Sequence, residues 1–234
     1  MNELLLILSL PITYFMVLLC YRIFGKSGLF LWTVVATIAA NIEVLIVVNA
    51  FGFEMTLGNI LFASTFLVTD ILSENHGKKE AQRAVYLGIT TSVIFILISQ
   101  SWLLYAPSDS DFASPAIRTI FSNTPRLMFA SLAAYAVCQL FDVWLYHKWW
   151  DFTEKKFQNK RKFLWLCNNG STLVSQLVNT VLFNVLAFAG IYSVGTLVSI
   201  IVSCYLIFII TSLVDTPFIY MARKIHDSGA KELL

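Results

Sequence analysis

Two carboxylates, Asp70 and Glu74, lie one helical turn apart at the end of an apolar run, within VTDILSENHGKK (68–79). Side chains at positions i and i+4 share one face of a helix, so two like charges there repel each other. Negative charge near the C-terminal end of a helix also opposes the helix dipole. A cation, a proton or a ligand rich in hydrogen-bond donors would relieve the repulsion. The spacing therefore indicates a site with a chemical role.

A second polar pattern runs through NNGSTLVSQLVNTVLFN (168–184). Thr172, Gln176, Asn179 and Phe183 follow one another at i, i+4, i+7 and i+11, which places them on one face of a helix. Two carboxamides with an aromatic ring above them form a suitable wall for a flat heterocycle. This face is a candidate binding surface, and Asn169 is a further candidate at its start.

Two more aspartates, Asp142 and Asp215, lie inside apolar runs. Charged side chains within a bilayer cost at least a few kcal/mol each, so they usually face a cavity or a partner. Asp142 belongs either to a shared polar site or to a local pair with His147 or Lys148. Asp215 stands two residues before Pro217, so helix-end chemistry is the alternative for it.

Glu43 lies near the middle of its apolar run, too deep for the membrane interface to explain it. It is either a proton-coupling carboxylate or a neutral group that is hydrogen-bonded to Asn41 or to another helix. We favour the structural role. His76, which precedes Gly77 in a turn, is expected to be solvated.

The amino-acid composition indicates which kind of fold positions these side chains. Of the 234 residues, 58% are hydrophobic and 13% charged, and the mean hydropathy is +0.74. An ordinary soluble domain is about one quarter charged, so the surplus apolar surface must face lipid. We predict an all-α membrane protein: one domain (1–234) that forms a single bundle of six or seven transmembrane helices. A spanning helix needs about 20 apolar residues, and the candidate runs are roughly 4–21, 29–51, 57–74, 83–105, 127–147, 172–189 and 195–221.

Lys and Arg are distributed unevenly along this predicted bundle. If all seven runs cross the membrane, 14 of the 16 basic residues fall on one side, and only Arg118 and Arg126 fall on the other. Short cytoplasmic loops are enriched in Lys and Arg, so the N-terminus is predicted outside and the C-terminus in the cytoplasm. The loop at about 148–166 is predicted to lie on the cytoplasmic membrane surface. The loop at 106–126 is predicted to hold a short interfacial turn.

In this orientation four helices place polar groups in one layer of the cytoplasmic half. Polar side chains near an interface can reach water by snorkelling, but short Asp and Asn side chains do this poorly, so we expect a shared site. The sequence holds no GxSxG, HExxH or phosphate-binding-loop motif, and its four cysteines are scattered. We therefore predict no catalytic residue, metal or cofactor. The net charge of +2 indicates no direct nucleic-acid partner.

Four blocks of the sequence, in order, resemble the queuosine precursor transporters, also called the vitamin uptake transporter family. The resemblance covers about residues 30–222. Its first signature is TDILSENHGKKEAQRAVYLG (69–88), and its second is NNGSTLVSQLVNTVLF (168–183). The flanking blocks are FDVWLYHKWW (141–150) and LVDTPFIY (213–220).

The resemblance implies a multi-pass importer in the bacterial inner membrane that salvages a 7-deazaguanine for queuosine modification of tRNA. The family's candidate substrates are 7-cyano-7-deazaguanine, its 7-aminomethyl relative and queuine. The adjacent donors of such a base suit a carboxylate, its carbonyl suits an amide, and its ring suits an aromatic face. The substrate-binding residues predicted on this basis are Asp70, Glu74, Asp142, Trp144 (or Phe141), Asn169, Gln176, Asn179 and Phe183. Coupling or structural roles are predicted for Asn41, Glu43 and Asp215.

The chain departs from the family pattern at four places. His76 replaces a tyrosine, Cys167 an arginine and Asn179 an aspartate, and no lysine precedes the DTP block. If those family residues form an ion network, its loss is consistent with a changed substrate or coupling mode. The alternatives are a substrate-binding subunit of an ATP-driven uptake system and a membrane-embedded enzyme that uses Asp70 and Glu74 as an acid–base pair. Homo-oligomerisation stays open.

Overall fold

The computed structural model of the protein describes residues 1–122, 125–157 and 163–229. Five of its helices are long and apolar enough to cross a membrane, namely Asn2–Glu43, Lys78–Trp102, Arg126–Lys156, Leu164–Phe188 and Val194–Asp227. This confirms the prediction of an all-α membrane protein, to which the structure adds one small β-hairpin. The elements are α1 Asn2–Glu43, β1 Val47–Ala50, β2 Phe53–Thr56, α2 Gly58–Asn75, α3 Lys78–Trp102, α4 Ser114–Ser122, α5 Pro125–Phe157, α6 Leu164–Phe188 and α7 Val194–Asp227.

Helix α1 reverses direction at Gly25, which has non-helical dihedral angles (φ 57°, ψ −143°). A Cβ atom added to Gly28 would lie 2.0 Å from the carbonyl oxygen of Cys20, although a continuous helix would separate these residues by about 12 Å. The Asn2 side chain donates a hydrogen bond of 2.9 Å to the Asn49 carbonyl, beyond the far end of α1. The two halves of α1 therefore form an antiparallel pair.

Helix α2 lies at the centre of the bundle. It contacts α1, α3, α5 and α7, and every residue from 63 to 73 is buried. A helix that is surrounded by other helices does not face lipid, so it can carry polar side chains wherever they find partners. This position explains how the short predicted run at 57–74 can carry so many polar residues.

The outer helices present apolar stripes to the surroundings. On α7, Val194, Val198, Val202, Leu206 and Ile210 are exposed at intervals of four residues, which places them along one side of the helix. An exposed apolar surface of this extent is typical of a membrane-facing or interaction surface. Lipid is the environment that fits it.

The chain leaves helical geometry earlier than predicted in the second apolar run. Helix α1 ends at Glu43 and β1 begins at Val47, so the prediction of a helix up to residue 51 is wrong. Phe51 and Gly52 both have positive φ and form the two-residue turn that joins β1 to β2, as in a type I′ hairpin. Glu43 is accordingly half-buried at a helix end, and its predicted position deep inside the membrane is also wrong.

Two loops contain more helix than predicted. Helix α5 continues to Phe157, so the described part of 148–166 is not a separate surface segment. Four of the basic residues counted for the predicted orientation, at 160–162 and 231, lie outside the described residues. In the loop at 106–126, of which 123–124 are not described, α4 forms nine residues of helix. Asp111 accepts hydrogen bonds from the Ser114 hydroxyl and from the backbone N–H groups of Ser114 and Ala113, and these hold the pKa of its carboxyl group below the ordinary value.

Candidate functional site

Three aspartates from three helices lie buried in the interior. Asp70 on α2, Asp142 on α5 and Asp215 on α7 each expose no more than 1% of their surface. Burial of a charged group is costly unless hydrogen bonds or ion pairs compensate for it. Helix α6 supplies donors to all three, so the prediction of a polar layer shared by several helices agrees with the geometry.

Asp70 and Asp142 are held side by side by one turn of α6. Thr172 donates a hydrogen bond of 3.1 Å to Asp70 Oδ2, and Ser175 donates one of 2.7 Å to Asp142 Oδ1. The two carboxyl groups lie within hydrogen-bonding reach of each other. Their other oxygens, Asp70 Oδ1 and Asp142 Oδ2, have no hydrogen-bond donor among the described residues.

The local alternatives for Asp142 and Asp215 are wrong. Asp142 accepts from Ser175 on another helix, whereas the Lys148 ammonium lies over the Trp144 ring. Asp215 accepts a hydrogen bond of 2.6 Å from the Asn168 side chain. Because α7 continues for 12 residues beyond Asp215 to Asp227, Asp215 is an interior group and not a helix-end group.

Glu74 and Asp70 have different partners. Arg223 Nη1 lies 2.8 Å from Glu74 Oε1, and the Tyr146 hydroxyl donates to Glu74 Oε2 at 3.1 Å. A cation from α7 and a hydroxyl group of α5 thus compensate the charge at position 74, whereas side chains of α6 donate to the three buried aspartates. The expected repulsion between Asp70 and Glu74 is relieved without a ligand at Glu74.

A buried glutamine extends this polar layer and was not predicted as part of the site. Gln139 Nε2 donates to Thr65 Oγ1 at 2.7 Å, and Thr69 Oγ1 donates to Gln139 Oε1 at 3.2 Å. Gln139 precedes Asp142 by three residues, which places both on one face of α5. That spacing was the signal available in the sequence.

A cavity of about 170 Å³ lies between the helices, roughly two turns from the aspartates. Phe62 lines it and precedes Asp70 by eight residues on α2, which corresponds to about 12 Å along a helix. Val47 and Tyr192 line the cavity and are exposed, so it reaches the protein surface. Its polar lining comes chiefly from the amides Asn59, Asn179 and Asn184, and its aromatic lining from Phe62, Phe183, Phe188, Tyr192 and Phe208.

The predicted face of α6 connects the cavity to the aspartates. Asn179 and Phe183 line the cavity, and Thr172 reaches Asp70. Between them Gln176 is 1% exposed and accepts a hydrogen bond of 3.4 Å from Asn179. Gln176 Nε2 has no acceptor in the described part of the chain. The sequence pattern did not reveal Asn59, whose amide comes from another helix.

Three predicted residues are not brought to this site. Trp144 is 45% exposed and stacks on Phe141, because it lies two residues, or about 200°, around the helix from Asp142. Asn169 joins α6 to α7 through hydrogen bonds to Thr216 and Ser212. Asn41 donates to a carbonyl of its own helix, that of Thr37, and not to Glu43.

The positions that depart from the family pattern have partners inside the fold. Cys167 is buried, with its Sγ 4.0 Å from Thr153 Oγ1. The expectation of a solvated His76 is wrong, because its Nε2 lies 3.0 Å from the Tyr21 hydroxyl, which also contacts His226. Across the described ranges, no group of three or more His, Cys, Asp and Glu residues has an arrangement that could hold a metal ion.

Comparisons with known proteins agree with these features. A family model described as "Putative vitamin uptake transporter" matches residues 56–222, which include the three buried aspartates. A protein of Bacillus subtilis (strain 168) named "Probable queuosine precursor transporter" is 41% identical over 213 residues. The match covers 91% of this chain and 91% of that protein. No solved structure matches the chain significantly.

Proposed function

The chain belongs to the vitamin uptake transporter family, and we propose that it imports a 7-deazaguanine precursor of queuosine into the bacterial cytoplasm. It is a multi-pass protein of the inner membrane, and its family assignment makes it a transporter and not an enzyme. The substrate candidates are 7-cyano-7-deazaguanine, 7-aminomethyl-7-deazaguanine and queuine. Inside the cell, the imported base would serve queuosine modification of tRNA.

The observation that carries this proposal is the cavity, whose α6 wall belongs to the same helix face that holds Asp70 through Thr172. Binding sites for small molecules are concave and mostly apolar, with a few polar groups that fix orientation. Here aromatic rings such as Phe62, Phe183 and Phe208 surround the space, and Asn59, Asn179 and Asn184 supply amides. A flat, donor-rich heterocycle matches this combination.

Individual groups of a 7-deazaguanine can be assigned to individual side chains. The N1–H and exocyclic amine are adjacent donors that suit the free oxygen of Asp70 or an amide oxygen. The carbonyl oxygen suits the Gln176 Nε2 group, which has no acceptor among the described residues. The bicyclic ring suits an aromatic face such as that of Phe183.

We further propose that the whole chain (1–234) is one transporter domain with seven membrane crossings. The reversal at Gly25 makes two crossings of α1, and α2 adds one to those of α3, α5, α6 and α7. Tyr21, His76 and His226 meet at one end of the bundle, near the basic clusters. By the distribution of Lys and Arg this end is cytoplasmic, so the cavity opens on the outside, as an importer requires.

Complementation in bacteria tests the proposal. The host would lack its own deazaguanine synthesis and its own importer, and each precursor would be supplied at a nanomolar concentration. We expect the parent protein to restore queuosine in tRNA with at least one precursor, and Asp70→Asn to lose this at an equal membrane level. Asp111→Asn is the matched control, because Asp111 is exposed and outside the bundle. The proposal is wrong if a strain that can use each precursor inside the cell, and that expresses the parent protein, still makes no queuosine.

Uptake by the purified protein in lipid vesicles separates the proposal from the ATP-driven alternative. The proposed carrier should exchange labelled for unlabelled substrate without ATP and without a second protein. A requirement for a co-purifying ATPase would instead identify the chain as a substrate-binding subunit.

A further inference from the structure

Asp70 and Asp142 form a buried carboxyl pair that a shared proton would stabilise. Their carboxyl groups lie within hydrogen-bonding reach of each other, and Thr172 and Ser175 each hold one oxygen of the pair. The two remaining oxygens lack a donor among the described residues. Two carboxylates this close cannot both be ionised without a large cost, and a shared proton removes the repulsion.

The charged and titratable groups around the pair offer no other compensation. The groups that face it are Tyr14 from α1, Glu74 from α2, Cys138 and Tyr146 from α5, Cys167 from α6 and Asp215 from α7. All of them are neutral or acidic. In the described structure the cation Arg223 is paired with Glu74, and Lys78 at the start of α3 lies near His147.

Two buried polar groups on either side of the pair indicate that a polar ligand or water reaches it. Ser73 is fully buried three residues after Asp70, on the same face of α2. Gln176 follows Thr172 by one turn on the same face of α6. Neither Ser73 Oγ nor Gln176 Nε2 has a hydrogen-bond partner within the described ranges. On each side of the pair, one helix therefore offers a described side chain that can still form a hydrogen bond.

We propose that uptake is coupled to the movement of a proton carried by the Asp70–Asp142 pair. This inference rests on the proposed function. The proton enters from the side of the cavity and binds one carboxylate oxygen, and the new O–H group donates to the other carboxylate. Substrate binds above it through Gln176 and Asn179. When the helices repack toward the cytoplasm, the substrate leaves unchanged and the carboxyl group returns the proton to water, so one proton enters with each substrate.

The geometry favours a proton over a metal cation. The pair offers two oxygens without a hydrogen-bond partner among the described residues, on carboxyl groups that one turn of α6 holds, whereas a hard cation such as Ca²⁺ takes about six to eight oxygen ligands. A hydrogen bond between two carboxyl groups needs only one proton. The hydroxyl groups of Thr172 and Ser175 then donate to the outer oxygens in both states.

Purified protein in lipid vesicles tests the coupling, with labelled precursor and the membrane potential clamped at zero. An inside-alkaline gradient of about one pH unit should drive roughly tenfold accumulation if one proton enters per substrate. A pH dye inside the vesicles should report acidification that begins only when substrate is added. Asp142→Asn, which removes one titratable group of the pair, should lose accumulation and the acidification that substrate triggers. Asp111→Asn should keep both.

The outcomes are distinguishable. If the parent protein shows no exchange with any of the three precursors, the proposed function fails. If exchange occurs but neither accumulation nor vesicle pH responds, the coupling proposal is wrong and the protein is a facilitator. If a sodium gradient drives the accumulation instead, the assignment to a proton is wrong. The pH dye reading on the parent protein decides the matter even if Asp142→Asn does not fold.

Discussion

Arg223 and Glu74 form an ion pair of 2.8 Å that joins α7 to the end of the central helix α2. The side chains are only 16% and 6% exposed, respectively, and the Tyr146 hydroxyl adds a hydrogen bond to Glu74 from α5. Three helices are thereby joined at the predicted cytoplasmic end. Glu74, which the sequence analysis assigns to substrate, is thus engaged in an ion pair between helices.

Removal of one partner of this pair should be worse than removal of both. Arg223→Met leaves a buried carboxylate without its cation, which costs about 3–5 kcal/mol, and Glu74→Gln leaves the guanidinium without its anion. The double variant should recover most of the thermal stability in detergent. Melting temperatures of the purified parent, both single variants and the double variant give the measurement.

Transport by the same double variant separates structure from binding. If Glu74 acts only through Arg223, the stable double variant should import the precursor at a rate close to that of the parent. A double variant that regains its melting temperature but not its transport would place Glu74 back in the substrate site.

Asn179 should set substrate affinity. Asn179→Ala removes an amide that lines the cavity, and loss of a hydrogen bond to substrate costs about 1 kcal/mol or more, roughly a fivefold or larger rise in Kd. We expect a higher KM at an unchanged expression level. Asn49→Ala, at an exposed position of β1, is the matched control. An equal effect of the two substitutions would contradict the assignment.

Gly28 should tolerate no larger residue. Its added Cβ atom would meet the backbone oxygen of Cys20 at 2.0 Å, and backbone within a helix cannot move aside as a flexible side chain can. Gly28→Ala should lower stability by roughly 1–3 kcal/mol, typical of overpacking, and reduce the folded yield. Gly195→Ala, where a Cβ atom would meet nothing within 4 Å, should cause no loss. Fluorescence-detected gel filtration after heating compares the two.

The orientation can be read from thiol labelling. Two variants are made in a protein without the four native cysteines. One carries Ser110→Cys in the loop before α4, and the other carries Ser228→Cys after α7. A membrane-impermeant maleimide should label the first in intact cells and the second only after the cells are opened. The reverse pattern would invert the proposed topology and place the cavity on the cytoplasmic side.

The sequence predicts which polar side chains are buried, but it does not predict their hydrogen-bond partners equally well. The one-face spacing of Thr172, Gln176 and Asn179 follows from helix geometry alone, and the structure places them as expected. The contact of Asp142 with Ser175 depends on how α5 and α6 pack, a property that no spacing within one helix contains. The outward position of Trp144 is predictable, because a residue two positions from Asp142 points to nearly the opposite side of the helix.

The errors in the fold have equally local causes. Apolar residues continue past Glu43 into VVNAF, so hydropathy alone extended the helix where Phe51 and Gly52 make a hairpin turn. The reversal at Gly25 was predicted as a boundary between two runs, because Lys26 interrupts the apolar stretch. Hydropathy thus locates membrane runs, whereas backbone conformation at a few residues decides how each run ends.

Because other helices surround α2, it must enter the membrane together with them during synthesis. By insertion measurements, an aspartate at the centre of a lone helix opposes release into lipid by about 2.5–3.5 kcal/mol. The hydroxyl that supports Asp70 comes from Thr172, 102 residues later in the chain. Asp70 therefore gains this partner only after α6 has been made, so that membrane insertion and tertiary packing are linked. A nascent chain cut short before α6 would keep an unpaired acid inside the membrane, a feature by which quality-control proteases could recognise it.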